Sequence, residues 1–270
     1  MTRSAFKSIL VILVFIGLAL TAKDTYAQSS GRSSFLANLG QGISKKADER
    51  YNTRWTLADW FETQRKSRLQ DQWLAGNKED DLYEFYVGGK TGVRTITVDG
   101  VESPLRPRST TGSLGAYATL VGLEGSYLDQ AGTSETDVAQ NGYGWDGWFA
   151  FRPLGDSLQN SNLTLFYGLL FRDDYGGEFI QNSAAKARLT LYVTKAFGLE
   201  GTYQWIFKGT SNLGAEIDGA AVEAGAFLDF SLLRIYGAWV RESRTRIAPV
   251  VLTKTVRESE SVDVGLKVFF

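Results

Sequence analysis

The sequence predicts an all-β fold: a ten-stranded antiparallel transmembrane β-barrel with an N-terminal periplasmic helical extension. Three observations predict it. From Leu82 onward, apolar and polar residues alternate with a period of two. The connections between the alternating segments switch between long and short, as the two ends of a membrane barrel require. A short apolar leader opens the chain, yet no later stretch is apolar enough to cross a bilayer as a helix. Only helices and closed barrels satisfy every backbone polar group in lipid.

The leader comes first. Arg3 and Lys7 precede the apolar run Ile9 to Leu20, and Thr25-Tyr26-Ala27 offers small residues at the cleavage positions. Residues 1–27 are therefore expected to be a signal peptide cut after Ala27, with an uncleaved inner-membrane anchor as the alternative. Residues 28–80 are expected to form a periplasmic arm and an amphipathic helix. The stretch to about residue 54 is small and polar. Thr56 can cap a helix over 56–75, with Asp59 as its capping partner and Gly76-Asn77 as its stop. Trp60 and Phe61 at one end, and Leu69, Trp73 and Leu74 at the other, are candidate docking residues. The polar middle of the helix separates these two apolar ends.

Residues 81–270 are assigned to the barrel. Ten segments are expected near 82–98, 110–120, 123–130, 142–152, 162–172, 185–195, 198–208, 220–230, 233–242 and 259–270. Long polar gaps are read at 99–109, 131–141, 173–184, 209–219 and 243–258. Tight turns are read at 121–122, 196–197 and 231–232, with a moderate one at 153–161. An even strand number puts both termini at the short-turn end. Phe151, Phe197, Phe230 and Phe270 fall toward that end, and Tyr143, Trp145, Phe171, Trp205 and Trp239 toward the other. Two aromatic girdles flanking a Leu, Val and Ala band are what the interfaces of a bilayer favour. The sequence "GLEGSY" at 122–127 recurs as "GLEGTY" at 198–203. The repeat is read as a recurring hairpin solution in which glycine lets the wall bend.

Alternation sends one set of charges inward: Arg94, Glu124, Asp146, Arg152, Arg172, Lys186, Arg188, Glu200, Glu223, Asp229, Arg234, Asp263 and Lys267. Bulky Tyr117, Trp148, Phe166, Tyr192, Phe227 and Tyr236 point the same way. Charges of both signs in one lumen are expected to pair, because burying them unpaired is costly. Ten strands also sit near the small end of the barrel range, where side chains fill the interior.

The last strand, "SVDVGLKVFF", puts Val262, Val264, Leu266, Val268 and Phe270 on the lipid face. With the leader and the absence of cysteine, it resembles bacterial outer-membrane β-barrel proteins. Their closing strand typically ends in Phe and is read by the barrel assembly machinery as an insertion signal. The resemblance covers the topology of about 82–270. It implies outer-membrane lipid and the assembly machinery as partners, and both termini in the periplasm. The helix followed by "YEFYVGG" is also similar to small barrels from predatory bacteria. Some of those are porin-like and assemble into rings, which makes a homo-oligomer an expectation without residue roles.

Composition excludes several functions. Histidine and cysteine are both absent. Barrel proteases, phospholipases, lipid A palmitoyltransferases and lipid A deacylases all rely on a histidine to activate water or serine. No catalytic residue, metal site or cofactor is assigned, and the chain is expected not to be an enzyme. A formal charge of -1 gives no reason to expect nucleic acid. The expected function is a structural or porin-like role. A narrow passive pore for small solutes or ions is the alternative, and a carboxylate-dependent hydrolase a more distant one.

Overall fold

The computed structural model describes residues 54, 56, 83–99, 104–132, 142–155, 157–174, 178–249 and 254–270. The leader, the arm and the expected helix with Trp60, Phe61, Leu69, Trp73 and Leu74 lie outside the described residues, Arg54 and Thr56 excepted.

Ten strands follow in order: β1 (Tyr83–Val98), β2 (Arg108–Ala118), β3 (Val121–Ala131), β4 (Gly142–Leu154), β5 (Asn162–Asp174), β6 (Glu178–Tyr192), β7 (Phe197–Ser211), β8 (Glu216–Phe230), β9 (Leu233–Ile247) and β10 (Lys254–Phe269). Each pairs antiparallel with its neighbours in sequence, and β1 pairs with β10, so the sheet closes on itself. Closure leaves no strand edge to template aggregation. Tracing paired residues once around the wall from Tyr86 returns to β1 at Val98, so the strands are strongly tilted. Such a stagger accompanies the tilt of roughly 35–45° found in closed barrels.

The strands run further than the alternating pattern suggests. The gap read at 173–184 shrinks to the three residues between Asp174 and Glu178, and the one at 209–219 to the four between Ser211 and Glu216. The loop-end half of β9 is polar on both faces, and in β6 and β8 adjacent or isolated apolar residues such as Phe179, Ile180 and Ile217 break the alternation, which hides the period of two. Outward charges at this end pair across strands: Lys208 with Glu216 at 2.6 Å and Arg241 with Glu258 at 3.1 Å. At the other end the chain reverses at Thr119-Leu120 rather than 121–122, and at 193–196 rather than 196–197. Thr119 and Ser231 take left-handed backbone conformations there (φ 52° and 56°). A bulge between β7 and its neighbours frees carbonyls near Phe207. The buried Asn182 amide donates to Phe207 O and Ile217 O, both at 2.8 Å, and repairs the loss.

The first glycine of each repeat also has a packing role. Gly122 and Gly198 face inward, and a neighbouring ring lies flat over each. A Cβ on Gly122 would meet Tyr117 Cδ1 at 2.5 Å, and one on Gly198 would run into Phe227. These glycines make room for aromatic rings. Gly201, on the outer face, has open space around its Cα.

Outside, the wall carries a continuous apolar belt. Leu123, Phe149, Tyr167, Leu189, Leu228, Val262 and Val264 are all exposed, Val262 by 65%. Phe151, Phe230 and Phe270 stand at the turn end, and Tyr143, Trp145, Trp205 and Trp239 at the loop end. Trp145 stacks on Phe171 with centroids 3.7 Å apart. Inside, Tyr86, Tyr117, Trp148, Phe166, Ile206 and Phe269 are buried in one cluster.

Candidate functional site

The lumen is the candidate site, because it gathers the chemistry-bearing side chains from all ten strands. The period of two sends alternate residues of each strand into it. Strand tilt then stacks them in layers.

At the turn end, Glu84 accepts both Arg152 Nη1 and Nη2 at 3.1 Å, the Leu158 amide at 3.1 Å and the Ser157 hydroxyl. The β4–β5 turn thus folds in under the barrel, with Leu158 and Gln159 buried. Beside it, Asp229 accepts Arg234 Nε at 2.7 Å and Nη2 at 3.1 Å, and the Tyr192 hydroxyl donates to the same carboxylate. Arg54, from the N-terminal arm, completes this cluster. It lies 3.2 Å from Asp229, donates to Lys195 O at 2.7 Å and sits 4.8 Å over the Tyr192 ring.

In the middle layers, Glu124 accepts Tyr117 OH at 2.5 Å and Arg188 Nη2, with Lys186 Nζ at 3.8 Å. Glu200 faces Lys267 at 3.4 Å and Arg234 at 3.6 Å. Lys90 bridges Glu223 at 3.2 Å and Asp263 at 3.1 Å. The cations also rest on rings. Lys186 lies 4.3 Å from Trp148 and 4.2 Å from Phe166, and Arg234 4.0 Å from Phe227. Ring faces attract such cations where water is scarce.

Toward the loop end, Arg172 pairs with Asp146, which also accepts the Ser126 hydroxyl at 3.0 Å. Glu242 takes Arg94 at 3.6 Å and Arg244, and Arg246 reaches Glu178 at 3.1 Å.

The structure thus places all thirteen charges named from the sequence on the inner face, each with an opposite charge within 4 Å. It adds Glu84, Lys90 and Glu242, which share strand parity with Arg94 and Arg234 and could have been read from it. Arg54 had no such signal, because no period relates the arm to the wall. Val262, Val264, Leu266, Val268 and Phe270 lie on the outer face of β10. Phe270 exchanges backbone hydrogen bonds with Phe85 at 2.8 and 3.2 Å.

Three spaces between described lumen residues have volumes of ≈ 10, 20 and 10 Å³. About one water fits in each. Each of the buried carboxylates Glu84, Glu124 and Asp229 is held by a guanidinium or ammonium group, and removing either partner would leave a buried charge uncompensated. Among the described residues no three His, Cys, Asp or Glu side chains are grouped to hold a metal ion.

No family model matches the chain, and no curated protein matches it. Solved barrels do resemble it in outline. The outer membrane protease OmpT from Escherichia coli is 12% identical over 71% of this chain and 97% of its own, with a TM-score of 0.42. Neisserial surface protein A is 12% identical over 68% and 96%, with a TM-score of 0.34. The toluene transporter TodX from P. putida is 7% identical over 71% and 90%, with a TM-score of 0.29. No residue role is transferred from any of them.

Proposed function

We propose that the chain is an integral outer-membrane β-barrel with a structural, porin-like role, its lumen filled and braced by ion pairs. The single observation that carries this reading is the inversion of a soluble fold. The closed sheet turns large apolar side chains outward all round, and buries charges such as Glu84, Arg152, Asp229, Arg234 and Asp263 inside. Monomeric soluble proteins rarely expose contiguous apolar surface on this scale. Hydrocarbon is the solvent that suits such a wall, and an outward apolar band ~25 Å tall between aromatic girdles is the form it takes in outer-membrane barrels. Under this reading both termini lie in the periplasm, and the outward residues of β10 from Val262 to Phe270 present the assembly signal.

Planar-bilayer recording tests the filled lumen. The purified monomer is expected to give no steady conductance, and sustained ion-selective steps would replace this reading with a narrow passive pore. That second reading is favoured by the inward charges, which occur at every height of the lumen from Glu84 through Glu124 and Glu200 to Glu242. Assembly into a homo-oligomeric ring is part of the proposal. It is supported by the small outward residues Ala224, Ala226 and Gly237, which neighbour one another on β8 and β9. Native mass in mild detergent decides it, a monomer mass alone removing the ring.

A further inference from the structure

We propose that the turn-end mouth of the barrel carries a receptor for an arginine side chain, and that Arg54 occupies it as a latch that straps the N-terminal arm beneath the lumen. Among the described residues, three groups make the receptor. The Asp229 carboxylate lies 3.2 Å from Arg54 Nη2, the Lys195 carbonyl accepts Arg54 Nη1 at 2.7 Å, and the Tyr192 ring centroid lies 4.8 Å from the guanidinium carbon. No part of the Arg54 or Asp229 side chain is open to solvent. The three groups come from the end of β8, the turn between β6 and β7, and the end of β6. Each is held in place without Arg54. Asp229 accepts Arg234 Nε at 2.7 Å and the Tyr192 hydroxyl, and that hydroxyl accepts Arg234 Nη2 at 2.6 Å. The β6–β7 turn is closed by the Val193 and Thr194 amides donating to Phe197 O, at 2.9 and 3.0 Å. It is tied to β8 by the Asp229 amide donating to Ala196 O at 2.8 Å. A receptor organised before its ligand arrives loses little binding energy to ordering itself.

The chemistry of the receptor selects arginine over lysine. A planar guanidinium donates in two directions at once and stacks on a ring, whereas an ammonium group is a compact, strongly hydrated point charge. Burying a cation is costly unless it is paired and hydrogen-bonded. This receptor offers a carboxylate, a carbonyl and a ring face together. The topology makes the contact a strap. Arg54 is fixed on the β6–β8 side of the mouth, whereas the arm leads into β1, which starts at Tyr83, three strands on from β8 around the closed wall. The chain is thus held at two points on different sides of one mouth. Thr56, two residues after the latch, is buried as well. Arg234 also holds a second inserted segment, since its Nη2 donates to Leu158 O of the β4–β5 turn at 3.3 Å. Releasing Arg54 therefore frees the arm and leaves that turn in place.

The chain has no cysteine, so a single introduced thiol reports on the arm. The test is maleimide labelling of Thr56→Cys in the full chain, refolded in detergent micelles, with the folded band on an unboiled gel checking the barrel of each variant. Labelling is expected to speed up about tenfold or more when Arg54→Ala is added, the factor that matches loss of a hydrogen bond to a charged group. Arg54→Lys is expected to label nearly as fast as Arg54→Ala. Equal rates with Arg54 and with Arg54→Ala, in barrels that remain folded, overturn the latch. Full protection by lysine overturns the arginine receptor. Should these variants fail to fold, trypsin decides on the wild-type chain. The Arg54–Trp55 bond is then expected to be cut about tenfold or more slowly than in a synthetic peptide of residues 48–60, and equal rates overturn the proposal. Dilution separates the two sources of the arginine. Protection independent of protein concentration puts the chain's own Arg54 in the receptor, and protection lost on dilution assigns it to a second copy and overturns the strap.

Discussion

Arg54 and Asp229 form an ion pair of 3.2 Å in which neither side chain is exposed to solvent. One partner comes from the polar N-terminal arm and the other from the turn end of β8. The arm therefore contributes to the lumen, and the barrel's lower mouth is completed by a residue outside the ten strands. Asp229 keeps Arg234 when Arg54 is removed, so Arg54→Ala is expected to cost only about 1–3 kcal/mol, the range for a hydrogen-bonded charged partner. Arg234→Ala strips Asp229, Tyr192 and Glu200 together and is expected to cost about 3–5 kcal/mol. Urea unfolding in detergent checks the order. Equal midpoints for wild type and Arg54→Ala would show that the pair does not hold the fold.

Glu124 is the hub of the middle layer. Glu124→Gln leaves Arg188 and Lys186 buried without their counter-charge, with an expected cost of about 3–5 kcal/mol. The loss should appear as a lower temperature at which the folded band disappears on an unboiled gel. The double variant Glu124→Gln with Glu200→Gln also tests the hydrolase alternative. Retained folding with loss of a measured hydrolytic activity would make these carboxylates catalytic.

The inward glycines separate room from flexibility. Gly198→Ala drives a methyl group into the Phe227 ring, and overpacking of this kind costs about 1–3 kcal/mol. Gly201→Ala, three residues on and facing outward into open space, is expected to be neutral within about 0.5 kcal/mol. If both substitutions cost the same in chemical denaturation, ring packing is not why these glycines are there.

A depth-dependent penalty tests the membrane. Val264→Arg lies in the middle of the apolar belt and is expected to destabilise the lipid-embedded barrel by about 2–4 kcal/mol. Thr97→Arg, outward at the loop end beside Glu258, is expected to cost about 0–1 kcal/mol. Unfolding from liposomes measures both, and equal costs would mean that hydrocarbon does not wet the belt.

The closing strand separates recognition from stability. Phe270 is 44% exposed, while its backbone is tied to Phe85. Phe270→Ala is thus expected to refold in detergent almost as wild type does, yet to accumulate outside the membrane in cells. Normal insertion of the variant would remove Phe270 from the assembly signal.

The architecture was legible in the sequence because alternation is local. In a barrel with lipid outside and charge inside, each strand declares its faces within about ten residues. β5 and β10 can be read by eye, and ten such segments with uneven connections imply closure. The ends of the strands were not legible where the alternation is too short to read, as at Glu178–Ser183, where Phe179 and Ile180 are adjacent, and at Glu216–Asp218, where Ile217 stands alone. There the hydrogen-bonded ladder continues without a hydrophobic pattern to mark it.

The sequence by itself determined the fold class, the strand number and the side of the wall on which each alternating residue stands. It did so because the side-chain period of a strand is fixed by covalent geometry. Only the tertiary structure decided which charges meet: that Glu124 joins Arg188, that Arg54 reaches Asp229 from outside the barrel, and that Arg94 and Arg244 meet at Glu242. Those encounters depend on stagger and tilt, which set the height of each residue in the lumen, and stagger is a property of the closed sheet that no single strand carries.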